Sequence, residues 1–188
     1  MPWLIVTLGY LLGSIPTAYV AGHLIKGTDI RQLGDGNMGA QNAFRQLGAK
    51  VGVAVGVVDA GKGALAILIA QAANIPQVAI LLAGAAALIG HNWPVFLGFR
   101  GGRGESTTIG VLLTVVTQPL LIMSGVATIV LLKTRSVIKA SAVLFIPLPL
   151  VCWWLGVSGL LVTYSIGLPC LVGFTHFTRT RQKLMRPA

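Results

Sequence analysis

The sequence has few charged residues, and very few of those are acidic. Charged side chains make up 10% of the 188 residues, against about 25% in an average soluble protein. Only four residues are Asp or Glu whereas fourteen are Lys or Arg, which gives a formal net charge of +10. Because 55% of the residues are hydrophobic, this composition excludes an ordinary water-soluble domain and indicates a membrane protein.

Cysteine and histidine are also scarce, which argues against disulfides and metal centres. Cys152 and Cys170 both fall in apolar segments, and the three histidines and four acidic residues are widely spaced. Because this spacing matches no metal-binding motif, we expect inert thiols, no metal and no cofactor. The first twenty residues lack the basic start of a signal peptide, so we expect them to form a retained first span.

Long apolar segments predict an all-α, polytopic membrane bundle. A helix that crosses a bilayer needs about 20 apolar residues, because each residue adds about 1.5 Å along the axis. Five of the six apolar segments fit one crossing, whereas the fourth is interrupted at Gln118 and Pro119. The segments cover residues 3–25, 51–73, 77–99, 107–132, 137–155 and 157–177.

The distribution of basic residues decides how the fourth segment is expected to fold. If it crosses once, the cluster from Lys133 to Lys139 and the basic C-terminal tail lie on opposite sides of the membrane. If it forms two short helices broken at Pro119, every basic loop lies on one side, as the positive-inside bias requires. We therefore predict about seven crossings in one domain, residues 1–188, with the N-terminus outside and the C-terminus in the cytoplasm. The basic residues of the tail are Arg179, Arg181, Lys183 and Arg186.

The net positive charge has a membrane explanation. In a soluble protein a charge of +10 would raise nucleic acid as a partner. Here the basic residues lie between and after the apolar segments, which favours the positive-inside bias and contact with anionic membrane lipids. We therefore expect membrane lipids and no nucleic acid among the partners.

The stretch at residues 34–48 has the composition of an anion-binding loop. Asn37 and Asn42 supply side-chain amides, and Arg45 can bind a phosphate bidentately. A helix beginning near Asn42 would direct its N-terminal dipole to the same place. A glycine-rich turn with a solvated arginine is the alternative. The glycines whose backbone N–H groups are expected to bind an anion are Gly34, Gly36 and Gly39.

The stretch at residues 91–107 carries a second and more specific anion signal. Arg100 and Arg103 flank a run of glycines at the end of a span, and Ser106 and Thr107 are possible caps of the next helix. A plain positive-inside loop is the alternative, and a single copy between spans cannot track a nucleic acid strand. The glycines expected to present free amides are Gly101, Gly102 and Gly104.

Three other places allow both a structural and a functional interpretation. Pro16, in the stretch 13–22, indicates a kink or a surface for close helix packing. Asp59 and Lys62 are spaced i, i+3 in the second span, which favours a structural ion pair over a direct role in a site. His176 ends the last span beside the basic tail, where it is a general base, a phosphate ligand or neither.

Together these motifs resemble the bacterial acyl-phosphate:glycerol-3-phosphate acyltransferases, the PlsY family. The resemblance covers nearly the whole chain. It implies a seven-helix enzyme of the inner membrane that transfers a fatty acyl group from acyl phosphate to glycerol 3-phosphate, without a metal or acyl-CoA. The residues that recur in family order lie at 13–16, 36–48, Asp59 with Lys62, 90–104 and His176.

The resemblance also implies roles for individual residues. The expected catalytic residues are His176, Asn37, Arg103 and Ser141. The expected phosphate-binding residues are Arg45, Gly36, Gly101, Gly102, Gly104 and Arg179. Of these, Gly101, Gly102 and Gly104 match the glycines that hold glycerol phosphate in the family.

The chain departs from the family pattern at several of these positions, so it resembles a divergent member. Asp35 replaces a serine in the first loop, and an uncompensated carboxylate about 4 Å from a phosphate costs about 4 kcal/mol at an effective dielectric of 20. We expect Arg179, Arg45 or Arg103 to pair with Asp35. The other departures are Arg103 for Lys, Glu105 for a small apolar residue, with Arg100 as its expected partner, Thr178 for Glu, Arg179 for Asn, Ser136 for Tyr and Ile138 for Ser.

Three functions follow from these observations. The first is an active acyltransferase of this family that uses acyl phosphate and glycerol 3-phosphate. The second is a family fold that has lost catalysis and acts as a structural or lipid-binding subunit among membrane-protein partners. The third, a transporter, is weakened because the polar residues gather at one face and not at the bilayer midplane.

Overall fold

The computed structural model describes residues 1–184, with side chains up to residue 181, so Lys183 and Arg186 of the predicted tail lie outside the described side chains. All regular structure within this range is helical. The helices are α1 (Pro2–Gly13), α2 (Thr17–Lys26), α3 (Ala40–Leu47), α4 (Ala49–Ala72), α5 (Gln77–Asn92), α6 (Glu105–Val115), α7 (Thr117–Thr134), α8 (Val137–Phe145), α9 (Leu148–Trp154) and α10 (Gly159–Leu184), with 3-10 turns at Ile30–Gln32 and Val95–Leu97.

The prediction of an all-α, polytopic membrane protein is confirmed. Six helical segments among the described residues are long and apolar enough to cross a membrane, and a seventh apolar helix, α6, is shorter. The six long segments are Pro2–Lys26, Ala49–Ala72, Gln77–Leu97, Thr117–Thr134, Val137–Trp154 and Gly159–Arg181.

The fourth apolar segment divides into two helices, but the break is not at Pro119. Helix α6 ends at Val115 and α7 begins at Thr117, because Val116 has a non-helical backbone with φ −135° and ψ 52°. Pro119 lies in the first turn of α7, where its missing N–H removes no intrahelical hydrogen bond. The two helices are unequal, since α6 has 11 residues and α7 has 18.

The chain forms two compact units. The first comprises Met1–Val111 and the chain from Val172 onward, and the second is Leu112–Leu171. In the second unit α7 packs against α8 and α9 around buried apolar side chains that include Leu120, Leu148 and Cys152. The prediction of a single domain over residues 1–188 stays a prediction.

Small residues in the first unit let α1 and α5 pack closely. A Cβ at Gly9 would overlap the backbone of Ala83, and a Cβ at Gly13 would overlap that of Ala87. Glycine at these positions therefore allows the two backbones to touch, as in many membrane helix pairs. The chain also kinks here, between the end of α1 and the start of α2 at Thr17, so both interpretations of the 13–22 stretch are correct.

A buried polar network stabilises the kink. The Nζ of Lys62 donates a hydrogen bond to the backbone carbonyl of Ile15 at 3.0 Å, and the Thr17 hydroxyl donates to the Asp59 carboxylate at 3.0 Å. Lys62 and Asp59 form an ion pair of 2.9 Å, and their side chains are 6% and 2% exposed. Lys62 thus satisfies a backbone carbonyl at the break, and Asp59 binds the side chain of the first residue of α2.

Candidate active site

An open cleft of about 1270 Å³ in the first unit brings the two Gly-rich stretches together. Residues of both stretches line it, with Thr178 and Arg179 from α10. Its charged lining is mainly basic, with four arginines and two aspartates. These are Arg31, Arg100, Arg103, Arg179, Asp29 and Asp35.

The first Gly-rich loop closes on itself through Asp35. Gly34 and Gly36 adopt φ values of +60° and +73°, which favour glycine. The Asp35 Oδ1 accepts a hydrogen bond from the Asn37 N–H at 3.0 Å, and the Gly36 N–H donates to the Leu33 carbonyl at 3.0 Å. The prediction of a free backbone amide is therefore wrong for Gly36, because its N–H is bound to the Leu33 carbonyl, and Asp35 takes up the backbone N–H of Asn37.

The buried side chain of Asn42 holds the same loop in place through hydrogen bonds to its backbone. Its side chain is 2% exposed, and its Nδ2 donates to the carbonyls of Leu33 and Asn37, both at 3.0 Å. Helix α3 begins at Ala40 with Gly39 as its N-cap, so Asn42 does not begin the helix. The expectation that its amide faces a ligand is wrong, because the buried loop carbonyls take up its N–H groups.

The second Gly-rich stretch is docked on the end of α5. The Gly101 N–H donates to the Asn92 carbonyl at 3.2 Å, and the Gly102 N–H donates to the His91 carbonyl at 3.0 Å. A Cβ at Gly101 would overlap the His91 carbonyl oxygen. The glycines therefore permit close backbone packing, and the predicted free amides of Gly101 and Gly102 already have partners.

The start of α6 differs from the sequence prediction. The helix begins at Glu105, so Ser106 and Thr107 lie inside its first turn and are not its caps. Thr107 is fully buried, and its hydroxyl has no hydrogen-bond partner within the described residues. Gly104 precedes the helix with φ +86°, which explains the glycine there. The carboxylate of Glu105 suits the positive N-terminal end of the helix dipole.

Arg103 joins the two stretches by pairing with Asp35. Its Nη2 lies 3.5 Å from the Asp35 Oδ2, and the two side chains are 20% and 26% exposed. Of the three arginines expected as partners of Asp35, the structure selects this one. The Nε of Arg103 and the Oδ1 of Asn37 are buried, and neither has a hydrogen-bond partner within the described residues.

Arg179 holds the second stretch in place. Its guanidinium donates hydrogen bonds to the carbonyls of Gly101 and Asn92. The neighbouring Thr175 hydroxyl accepts from the Asn92 Nδ2 at 3.0 Å, so α10 is tied to the end of α5. Of the alternatives for the partner of Asp35, Arg179 is therefore not the one observed, since its guanidinium binds these carbonyls. Arg179 still lines the cleft.

Besides Gly102 and Gly104, three residues that were expected to be catalytic or phosphate-binding do not line the cleft as the structure describes it. His176 is half-buried on α10 and lies within range of the charges of Arg103 and Asp35. Arg45 is exposed on the last turn of α3. Ser141 lies on α8 in the second unit, where its hydroxyl donates to the Val137 carbonyl at 2.8 Å. The roles assigned to these three residues stay predictions.

The sequence prediction missed an ion pair at the rim of the cleft. The Arg31 guanidinium contacts the Asp29 carboxylate through Nε at 2.9 Å and through Nη2 at 2.7 Å. This hydrogen bonding lowers the pKa of Asp29. Arg31 also donates to the Leu97 carbonyl at 3.3 Å and lies 5.4 Å from the ring centre of Tyr19. The Asp-x-Arg spacing was the available signal, since Asp29 caps the turn at Ile30–Gln32.

His91 was also missed as part of the buried network. It is 5% exposed, and its Nδ1 lies 3.7 Å from the Asp59 Oδ1. The sequence separates these residues by a full span, so no local pattern connects them.

Comparison with known proteins identifies the family. Residues 3–186 match the family model for glycerol-3-phosphate acyltransferase. The chain is 57% identical over 182 residues to glycerol-3-phosphate acyltransferase 4 of Dehalococcoides mccartyi, covering 97% of this chain and 98% of that one. It is 38% identical to glycerol-3-phosphate acyltransferase 1 of the same organism, over 96% of this chain and 90% of that protein.

The fold matches solved structures as well. The crystal structure of PlsY (YgiH), an integral membrane glycerol 3-phosphate acyltransferase, in its glycerol 3-phosphate form has a TM-score of 0.87 and 34% identity, covering 97% of this chain and 92% of that one. The lysophosphatidic acid form has a TM-score of 0.81 and 31% identity, covering 97% and 91%. A helical membrane fold, both Gly-rich stretches in one basic cleft and these matches lead to one conclusion: the chain belongs to the glycerol-3-phosphate acyltransferase family of multi-pass membrane proteins.

Proposed function

We propose that this protein transfers a fatty acyl group from acyl phosphate to glycerol 3-phosphate, forming lysophosphatidate and inorganic phosphate. Family membership supports an acyltransferase. One observation supports phosphate-bearing substrates most directly: the charged lining of the cleft consists of four arginines and two aspartates. Among them, the Arg103 side chain is 20% exposed and lines the cleft, so its guanidinium is accessible to the phosphate oxygens of a substrate.

The arginines of the cleft are assigned two different roles. Arg31 is held by Asp29, and Arg179 is held by backbone carbonyls, so both shape the cleft. Arg103, with Arg100 beside it, is assigned to the phosphate groups, since a guanidinium suits phosphate oxygens. Gly36, Gly101, Gly102 and Gly104 are assigned to shaping the phosphate site, and Arg45 is proposed as a further phosphate ligand.

Positioning and charge neutralisation carry the proposed reaction. The acceptor hydroxyl attacks the carbonyl carbon of acyl phosphate, the bond from that carbon to the phosphate oxygen breaks, and phosphate leaves with the electron pair. The hydroxyl proton passes to a phosphate oxygen or to His176. Arg103 stabilises the developing negative charge, and Asn37 orients the reacting groups. Acyl phosphate is already activated, so the proposed chemistry requires no cofactor.

Asp35 does not by itself favour loss of catalysis. Its carboxylate has partners in Arg103 and the Asn37 N–H, so it does not face the cleft as an uncompensated charge. The alternative of a degenerate structural subunit was based on such an uncompensated charge and on missing family side chains. No contact in the described structure favours it over an active enzyme.

We also propose that the protein lies in the bacterial inner membrane with the cleft on the cytoplasmic side and the N-terminus outside. The basic loops at 26–50 and 100–103, with the tail, support this orientation through the positive-inside bias. A reporter that is active only in the periplasm, fused to the N-terminus, is expected to be active. The same reporter fused to the C-terminus is expected to be silent, and the reverse pattern would contradict the orientation.

Reconstitution tests the proposed reaction. Purified protein in lipid nanodiscs, given acyl phosphate and glycerol 3-phosphate, is expected to release phosphate and form lysophosphatidate in equal amounts. Acyl-CoA in place of acyl phosphate is expected to give no product. Arg103→Ala should abolish most of the turnover, whereas Lys50→Ala, which removes an exposed positive charge from the start of α4, should leave it unchanged. Absence of turnover with several acyl chain lengths would refute the proposal.

A further inference from the structure

His91 occupies the last turn of α5, directly under the second Gly-rich stretch. Its backbone carbonyl accepts the Gly102 N–H at 3.0 Å, and the carbonyl of its neighbour Asn92 accepts the Gly101 N–H at 3.2 Å. The Gly101–Gly102 turn is therefore hydrogen-bonded to the end of the helix, which fixes its position.

The imidazole ring of His91 supports the same turn from within. A Cβ added at Gly102 would overlap the ring atoms Nε2, Cε1 and Cδ2 of His91. The backbone of Gly102 thus lies against the Nε2 end of the ring, with no room for a side chain between them. Any movement of the ring moves the turn or leaves a cavity beneath it.

The other side of the ring faces the buried ion pair. The His91 Nδ1 lies 3.7 Å from the Asp59 Oδ1, and both side chains are almost fully buried. The carboxylate is itself fixed by Lys62 at 2.9 Å and by the Thr17 hydroxyl at 3.0 Å. The His91 Nδ1 has no hydrogen-bond partner among the described residues, so the ring is packed, and not hydrogen-bonded, between the Asp59 carboxylate and the Gly101–Gly102 turn.

We infer that His91 is a positioning residue for the acceptor site: its imidazole, packed between Asp59 and Gly102, sets the position of the Gly101–Gly102 turn and thereby the affinity for glycerol 3-phosphate. This inference rests on the proposed function. His91 does not line the cleft among the described residues, so it acts through the turn and not through contact with the substrate. Displacement of a positioning group by about 1 Å lowers activity by up to a hundredfold.

Replacing a positioning residue has a different effect on the kinetics from replacing a merely structural residue. Loss of packing alone lowers the amount of folded protein and leaves the kinetic constants of the folded fraction unchanged. Displacement of the Gly101–Gly102 turn raises the KM for glycerol 3-phosphate and leaves the KM for acyl phosphate nearly unchanged. A split between the two KM values is therefore the diagnostic measurement.

The test compares His91→Ala, His91→Gln and Ile67→Ala in nanodiscs. His91→Gln retains a polar side chain that still fills part of the space beneath Gly102. Ile67 is a fully buried residue of α4, eight positions beyond Asp59 and thus about 12 Å along the helix, so Ile67→Ala controls for lost packing. Initial rates are measured against each substrate, and glycerol 3-phosphate binding is measured by calorimetry without donor.

We expect His91→Ala to raise the KM for glycerol 3-phosphate about tenfold or more and to change the KM for acyl phosphate less than about twofold, with His91→Gln in between. Equal KM values in His91→Ala and wild type, or the same change in Ile67→Ala, would overturn the inference. If the wild type binds glycerol 3-phosphate but does not turn over, the proposed function fails, and the binding constants of the variants decide the inference. If the wild type does not bind it, both fail.

Discussion

Arg103 and Asp35 form an ion pair between the two Gly-rich stretches, with 3.5 Å between the Arg103 Nη2 and the Asp35 Oδ2. The two carboxylate oxygens of Asp35 have different partners, because Oδ1 accepts a hydrogen bond from the Asn37 N–H within its own loop. A carboxylate that would repel a phosphate is thereby turned into a link between the two sides of the cleft. Both side chains are partly exposed, so the pair itself adds little stability, and its main effect is on the charge that a substrate meets.

Replacing Asp35 tests the electrostatic effect of this pair. Asp35→Ser removes the negative charge beside the phosphate site, so we expect the KM for glycerol 3-phosphate to fall several-fold, with the largest change at low ionic strength. Asp35→Glu keeps the charge and serves as the matched control, with a KM close to that of the wild type. A higher KM for Asp35→Ser would show that the carboxylate contributes to acceptor binding.

Arg103 is expected to be the most sensitive cleft residue. Charge-assisted hydrogen bonds contribute about 1.5–3 kcal/mol, so Arg103→Ala should reduce kcat/KM for glycerol 3-phosphate about 10- to 150-fold. Arg103→Lys keeps the charge but loses the planar fork, and a smaller reduction is expected. Steady-state phosphate release measures both variants. An Arg103→Lys variant as damaged as Arg103→Ala would mean that the fork geometry outweighs the charge.

Arg179 is expected to matter first for the stability of the site. Its guanidinium donates to the carbonyls of Gly101 and Asn92, so Arg179→Ala leaves both carbonyls without this donor. We expect a loss of about 1.5–3 kcal/mol in the free energy of unfolding, measured by denaturant titration in detergent. Arg181→Ala, which removes an exposed arginine two residues further along α10, should change the free energy of unfolding by less than about 0.5 kcal/mol.

The buried Asp59–Lys62 pair predicts an asymmetry between single and double substitutions. Asp59→Leu alone leaves the Lys62 charge buried without its partner, which costs about 3–5 kcal/mol. The double variant Asp59→Leu with Lys62→Met removes both charges and should recover most of that loss. Thermal unfolding of the three proteins measures the effect. A double variant less stable than the single one would show that the hydrogen bonds to Thr17 and Ile15 outweigh the ion pair.

Asp29 predicts an acid-sensitive contribution to stability. The hydrogen bond from Arg31 lowers the pKa of Asp29 in the folded protein below its usual value of about 3.9. The ionised carboxylate therefore stabilises the fold above that value, and this stabilisation is lost as the pH falls through the lowered pKa. Asp29→Asn should lower the stability at pH 7 and reduce its dependence on pH below about 4. An unchanged pH profile of unfolding would contradict this prediction.

Much of the fold was predictable because a bilayer imposes strict requirements on a sequence. Apolar segments of about 20 residues must form helices, since no water is present to satisfy their backbone groups. The break in the fourth segment was expected from the basic loops on either side, but its position was not. A helix tolerates proline in its first turn, so Pro119 need not mark the break. The break lies three residues earlier, at Val116.

The site was less predictable, because its N–H groups have partners that the sequence does not reveal. The residue types at 34–48 and 91–107 indicated two anion-binding loops, and the structure brings both to one cleft. Whether a glycine amide faces a ligand or a carbonyl depends on what packs beneath it. For Gly101 and Gly102 that neighbour is the end of α5, and for Asn37 it is the carboxylate of Asp35.

The sequence by itself determined that this protein is a helical membrane protein with basic, glycine-rich loops, since hydrophobic length and charge are properties of composition and order. Only the tertiary structure decided which partners the charged residues take. It joined Arg103 to Asp35 and Arg179 to the carbonyls of Gly101 and Asn92, and it placed the His91 ring beside Asp59. These contacts connect residues far apart in the chain, and their geometry follows from how the helices pack.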